Sequence, residues 1–326
     1  MPLPKVYVTR RIQDAGLSLL PGRVDFEVWE KTAPVEREVL LEKAPGVQGL
    51  LCTLSDRIDE ELLSRCPGLR VVSNYAVGYD NIDVEAATRR GVLVTNTPDV
   101  LTNATADVAF TLILASARRV VEANEFLRSG EWVTWHPDLL LGQDVSESVL
   151  GIVGMGKIGQ AVARRAAGFS MKILFFNRSP KPDLEKELGA RQVSLDELLR
   201  ESDFVSLHCP LSAETKGLIG ERELRMMKKS SILINTSRGP VVDQKALYRA
   251  CSEQWIWGAG LDVFEKEPVP LDEPLLTLKN VTTIPHLGSA TIKAREGMAR
   301  KAAENLLAAL EGKKPTDLVN PSAWKK

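Results

Sequence analysis

Three short segments late in the chain set polar side chains beside glycine or proline. They are Asn235-Thr-Ser-Arg238-Gly239, Asp262-Val-Phe-Glu-Lys-Glu267-Pro268 and Pro285-His286-Leu-Gly-Ser289. Together they offer a guanidinium, a carboxylate and an imidazole. Arginine presents a planar fork of donors that fits a carboxylate. Histidine titrates near neutral pH and can pass a proton, and a glutamate beside it orients the ring and favours its charged form. Hydride addition to the carbonyl of a small 2-oxo acid needs such an anchor, such a donor and such a partner. Arg238, His286 and Glu267 supply one of each. Singly, each has a plainer explanation: a helix-flanking ion pair, a strand-end histidine, a solvated loop acid. Their occurrence together at successive strand ends, after a nucleotide-binding motif, favours the chemical reading. The other two histidines, His208 before Cys209-Pro210 and His136 in a tryptophan-rich loop, have no acid in a shared motif. They read as structural and surface residues.

The nucleotide motif is Leu150-Gly-Ile-Val-Gly-Met-Gly-Lys-Ile-Gly159. Gly154, Gly156 and Gly159 spell GxGxxG between a strand and a helix. There the first glycine makes the turn, the second lets backbone approach a pyrophosphate and the third allows close helix–strand packing. The next strand ends at Asn177, where an NAD site usually presents an acid to the ribose. Here the chain reads Asn177-Arg178-Ser179-Pro180-Lys181. No carboxylate repels a 2′-phosphate, and Arg178 and Ser179 could bind one, with Lys181 adding potential. The expectation is NADP(H) in preference, with NAD(H) possible through backbone contacts.

These residues need a frame. Short β-branched runs alternate with helical patterns from Lys5–Arg10 to Val281–Ile284, which implies an α/β fold of doubly wound parallel sheets. A length of 326 residues suggests two domains at ~150 residues each. One long helix is expected over Thr105–Leu127, its section Val108–Ala115 apolar on nearly every side except Thr111, so lying between domains or subunits. A second pattern, Ala290–Gly312, puts Met298, Ala299, Ala302, Ala303, Leu306, Leu307 and Leu310 on one stripe and could pack back on the first domain. The expected division is 1–99 with 286–326 for substrate and 100–285 for the dinucleotide. A net charge of −1 gives no basic bias, so nucleic acid and anionic membranes are not expected. There is no signal-peptide pattern and no membrane-length apolar run, so a cytoplasmic enzyme is expected. Four scattered cysteines without CxxC spacing argue for reduced thiols and no metal site.

Several ordered motifs, covering nearly the whole chain, resemble the D-isomer-specific 2-hydroxyacid dehydrogenases, and within them the glyoxylate/hydroxypyruvate reductases. They are Asn74-Tyr-Ala-Val-Gly-Tyr-Asp-Asn-Ile-Asp83, Val94-Thr-Asn-Thr-Pro98, the glycine loop, His208-Cys-Pro-Leu211, Ser237-Arg-Gly239, LDVFEKEP and PHLGSAT. The resemblance implies a Rossmann cofactor domain plus a flavodoxin-like substrate domain. It implies Arg238, Glu267 and His286 as the catalytic trio, with His286 as acid/base. Backbone amides around Val77 and Gly78 would hold the substrate carboxylate. Met155, Lys157 and Ile158 would face the pyrophosphate, and Thr236, Asp262, His286 and Gly288 the nicotinamide side. Leu54 and Ser289 would line a small pocket, and Trp135 would reach across a homodimer interface. A capped pocket suits two- or three-carbon acids. A broader D-2-hydroxyacid dehydrogenase and a dinucleotide-sensing, corepressor-like binding protein remain alternatives. The short tail after Gly312 disfavours a regulated phosphoglycerate dehydrogenase, and Glu267 in place of glutamine disfavours a formate-type enzyme.

Overall fold

A computed structural model describes residues 2–325, which divide into two compact units, 2–101 with 290–325 and 102–289. Both units are built on parallel sheets. Most of their strands are short apolar runs buried almost without interruption, as expected where helices cover both faces, while the edge strands Asp25–Val28 and Arg191–Gln192 have no buried residue. Many intervening helices begin at a side chain that caps the first turn. Asp59, Asp83, Ser194, Asp243 and Thr291 each accept the amide three residues on. Among the described residues no helix is long and apolar enough to cross a membrane.

The first unit holds β1 (Lys5–Val8), β2 (Asp25–Val28), β3 (Gly49–Cys52), β4 (Val71–Asn74) and β5 (Leu93–Thr95), in the order β2-β1-β3-β4-β5. One face packs Tyr7, Leu50, Leu62, Leu63 and Val72 into a core. The other receives the helix Ile292–Leu310, which buries Met298, Ala299, Ala302, Ala303, Leu306, Leu307 and Leu310. Each large apolar side chain buried there contributes roughly 1.5–3 kcal/mol. Ser73 Oγ fastens the helix by donating to the Ala302 carbonyl at 2.8 Å. Thus the end of the sequence completes the first sheet.

The second unit holds β6 (Val149–Val153), β7 (Lys172–Phe176), β8 (Arg191–Gln192), β9 (Phe204–Leu207), β10 (Ile232–Asn235), β11 (Gly258–Leu261) and β12 (Val281–Thr283). Their order is β12-β11-β10-β9-β6-β7-β8, so the direction of winding reverses between β6 and β9. In open α/β sheets ligands bind at the carboxyl ends beside such a reversal. The strand β8 is only two residues long and carries no pattern that marks it in the sequence.

Two expectations are corrected. The helix expected over Thr105–Leu127 is two helices, Thr102–Ala117 and Val120–Arg128, broken where Arg119 takes φ +50°. The Ala117 carbonyl is taken by the Gln143 amide at 2.8 Å, and Gly142 lies against it with no room for a Cβ. Arg119 is then held by Glu122 at 2.8 Å. The apolar first helix is also accounted for inside its own unit, where Ala109, Phe110, Leu112 and Ile113 join a core with Leu150, Ile152 and Ile234. The second boundary falls after Ser289 rather than before His286. The amides of Leu287 and Gly288 bond to the Asp262 carboxylate, which keeps His286 and its neighbours with the second unit.

Candidate active site

The glycine loop shows why two of its three glycines are needed. Gly154 has φ +97°, and a Cβ on it would stand 2.7 Å from the Cys209 amide nitrogen. A Cβ on Gly159 would collide with the Gly154 carbonyl, whereas one on Gly156 would meet nothing within 4 Å. The turn is therefore closed on its inner side and open at Gly156, as a pyrophosphate cradle at the start of the helix Lys157–Ala167 should be. Met155 is buried, Ile158 half-buried and Lys157 exposed. The Asn177 side chain reaches back to this loop: its Oδ1 accepts the Met155 amide at 3.2 Å, and its Nδ2 donates to the Ser179 carbonyl at 2.8 Å. Arg178 and Ser179 are exposed beyond it. Across the sheet, the buried hydroxyl of Thr236 has no hydrogen-bond partner in the protein, an orphaned group that a bound cofactor could satisfy. The loop and this hydroxyl fit a dinucleotide.

At the end of β10, Asn235 organises the Ser237-Arg238-Gly239 turn. Its Oδ1 accepts from the Ser237 amide at 3.0 Å and hydroxyl at 2.9 Å, and its Nδ2 donates to the Arg238 carbonyl at 2.9 Å. Gly239 presses directly on the backbone of Phe264 and Glu265, where any side chain would clash. This contact carries the Arg238 loop onto the loop that bears Glu267. The half-buried Arg238 guanidinium donates to the Ser237 carbonyl at 2.9 Å and lies near enough to Glu267 to act on its charge.

Glu267 divides its carboxylate, taking the Phe264 amide on Oε1 at 3.0 Å and His286 Nδ1 on Oε2 at 2.6 Å. Burial pushes this carboxyl up, but the bond to His286, the imidazole charge, the Phe264 amide and Arg238 outweigh it. Glu267 is held below the usual glutamate range. His286 sits at φ +53°, an uncommon conformation for a side-chain-bearing residue. Its amide donates to the Asp262 carbonyl at 2.9 Å and to the Ile284 carbonyl at 3.1 Å. Asp262, 1% exposed, spends both carboxylate oxygens on the next two amides, Leu287 and Gly288. Burial raises the Asp262 carboxyl above its ordinary value, against the pull of those amides and of His286. The Gly288 carbonyl accepts from Thr105 at 3.0 Å, so both backbone groups of Gly288 are engaged in holding this loop.

His208 is neutral at ordinary pH, since burial lowers its pKa to about 4. Its Nε2 lies 2.8 Å from Ser206 Oγ, and its backbone forms the wall against Gly154. The remaining candidates are placed as follows. In the first unit, Leu54 and the Val77–Gly78 pair follow the carboxyl ends of the adjacent strands β3 and β4. The Val77 and Gly78 carbonyls are held by Asn96 at 2.8 Å and Asn74 at 2.9 Å. In the second unit Ser289 is half-buried, and Trp135 projects from a loop with 76% of its surface exposed. Asn235 and Gly239 received no role from the sequence. A polar residue and a glycine bracketing a strand-end arginine were the available signal.

Comparison with known proteins agrees with this architecture. Residues 110–288 match the family described as D-isomer specific 2-hydroxyacid dehydrogenase, NAD binding domain. A glyoxylate reductase of Thermococcus kodakarensis is 57% identical over 326 residues, covering 99% of this chain and 98% of that one. Among solved structures, a glyoxylate reductase from Paecilomyes thermophila superposes with a TM-score of 0.88 at 35% identity, over 98% of this chain and 99% of that one. An NADPH-dependent glyoxylate/hydroxypyruvate reductase from Sinorhizobium meliloti, solved with NADP and malonate, gives 0.85 at 31% identity, over 99% and 98%. With the glycine loop, the two parallel sheets and full-length identity above one half all in agreement, the chain belongs to the D-isomer specific 2-hydroxyacid dehydrogenases.

Proposed function

We propose that this dehydrogenase reduces the C2 carbonyl of glyoxylate and hydroxypyruvate, giving glycolate and D-glycerate, with NADPH preferred over NADH. Arg238, Glu267 and His286 are its proposed catalytic residues. The arrangement at His286 carries the proposal. With Nδ1 held by a glutamate that stays charged at neutral pH, Nε2 is the ring nitrogen left to serve a substrate oxygen.

When bound, the reduced nicotinamide supplies the hydride. The protein's part is to bind the acid, polarise its carbonyl and deliver a proton. Arg238 pairs with the substrate carboxylate and draws electron density toward the carbonyl oxygen. His286 Nε2 gives its proton to that oxygen as negative charge develops, and Glu267 stabilises the imidazolium before transfer. Asp262 fixes the backbone that presents the ring. Leu54, Val77, Gly78, Ser289 and Trp135 are proposed as substrate contacts on the family resemblance. The helix Val120–Arg128 has no buried residue, and Trp132, Val133 and Trp135 are exposed after it. This apolar surface supports a homodimer, which gel filtration tests.

For the cofactor, the family description names NAD, and the preference for NADPH rests on the Asn177–Ser179 segment. The Asn177 side chain is occupied within the protein, and no carboxylate in the segment opposes a 2′-phosphate. Arg178 bears a positive charge felt as far as Glu214. The Sinorhizobium meliloti relative is described as NADPH-dependent. The decisive experiment is steady-state reduction of a panel of 2-oxo acids with each nucleotide. Saturable turnover, fastest with glyoxylate or hydroxypyruvate and NADPH, is expected. Dinucleotide binding without turnover of any 2-oxo acid would favour a sensor, and equal or better kcat/KM with NADH would remove the cofactor preference.

A further inference from the structure

We infer that Gln192 is a positioning residue that sets the dinucleotide preference, by holding the turn from Asn177 to Lys181 so that Arg178 and Ser179 are prearranged for a 2′-phosphate. The inference rests on the NADPH reading and adds a residue to it.

One side chain satisfies three backbone groups of that turn. Gln192 Nε2 donates to the Asn177 carbonyl at 3.0 Å and, at longer range, to the Ser179 carbonyl at 3.5 Å. Its Oε1 accepts the Lys181 amide at 3.1 Å. The orientation of the amide is unambiguous, because carbonyls can only accept and the Lys181 N–H can only donate. The Gln192 backbone is itself fixed: its amide donates to Glu185 Oε1 at 3.0 Å, and the residue pairs with Phe175 in the sheet. Asn177 closes the other side through Met155 and Ser179.

The two residues between these ties, Arg178 and Ser179, are exposed. Their backbone is therefore ordered by the protein alone, while their side chains face solvent. An arginine on a fixed backbone loses less freedom when it meets an anion than one on a loose loop, so prearrangement appears as affinity. The benefit falls on the dinucleotide carrying the extra phosphate. Glutamine suits the task because it is the neutral side chain that both donates and accepts at this reach.

The test uses Gln192→Met, of similar length without hydrogen bonds, and Gln192→Glu, which keeps an acceptor for Lys181 but turns a carboxylate toward two carbonyls. In Gln192→Met the KM for NADPH should rise on the order of tenfold, with the KM for NADH and both kcat values changed less than about twofold. Gln192→Glu should lose at least as much with NADPH. In an Arg178→Ala background Gln192→Met should add little further loss with NADPH, since the two residues would act as one unit. Equal losses with both nucleotides in Gln192→Met, or no loss with either, where Arg178→Ala weakens NADPH selectively, would overturn the role of Gln192 alone. An Arg178→Ala variant that weakens NADPH and NADH equally would overturn the phosphate reading itself, and this inference with it.

Discussion

Oε2 of Glu267 lies 2.6 Å from Nδ1 of His286, and the other oxygen of the same carboxylate is tied to the Phe264 amide at 3.0 Å. The imidazole is thus oriented by a group that is itself anchored. Glu267→Gln preserves the shape and removes the charge. The kcat for reduction should fall roughly 10- to 100-fold. Glu267 is held below the usual glutamate range, so the wild type keeps that charge throughout neutral pH. Steady-state kcat of the variant at neutral pH checks this fall, and an unchanged kcat would contradict it.

Arg238→Ala removes the proposed carboxylate anchor and polarising charge. The substrate KM should rise and kcat fall, with kcat/KM lower by about 10²- to 10³-fold. Arg238→Lys keeps the charge without the planar fork and should recover only part of the loss. Wild-type kinetics in the alanine variant would remove Arg238 from the site.

Gly154→Ala places a methyl group 2.7 Å from the Cys209 amide nitrogen at a φ of +97°. A cost of about 1–3 kcal/mol in folding stability is expected, with weakened NADPH binding. Thermal melting and a fluorescence titration with NADPH read the two effects separately.

His208 gives a pH dependence of stability with a definite sign. Burial lowers its folded-state pKa from the ordinary 6.5 to about 4. Above 6.5 the ring is neutral in both states and contributes no slope. As pH falls from about 6.5 to about 4 the unfolded chain binds the proton more readily, so stability declines over that window. His208→Gln should flatten the decline in Tm between those limits. An unchanged slope would show that the histidine is more accessible than its surroundings at Ser206 imply.

Much of this arrangement is legible from sequence because it is carried by local pattern. The strand Val149–Val153 and the helix Lys157–Ala167 flank the glycine loop, as a motif set between a strand and a helix implies. The stripe from Met298 to Leu310 marks the face that the last helix buries. What escaped depends on distant partners. The break at Arg119 lies where Gln143 takes the last carbonyl of the preceding helix and Gly142 packs against it, both distant in sequence. The strand Arg191–Gln192 is too short to show a period, so the grip of Gln192 on the cofactor turn had no signal. The hold of Asp262 on Leu287 and Gly288 likewise spans two strand ends that only the parallel register makes neighbours.

Single-turnover reduction of glyoxylate by NADPH, followed by nicotinamide absorbance in the wild type and in His286→Ala, tests the proposed role of His286 most directly. Rapid oxidation of bound NADPH is expected in the wild type, and a loss of roughly 10²- to 10⁴-fold in the variant with NADPH binding retained. Comparable rates in the two proteins would contradict that role.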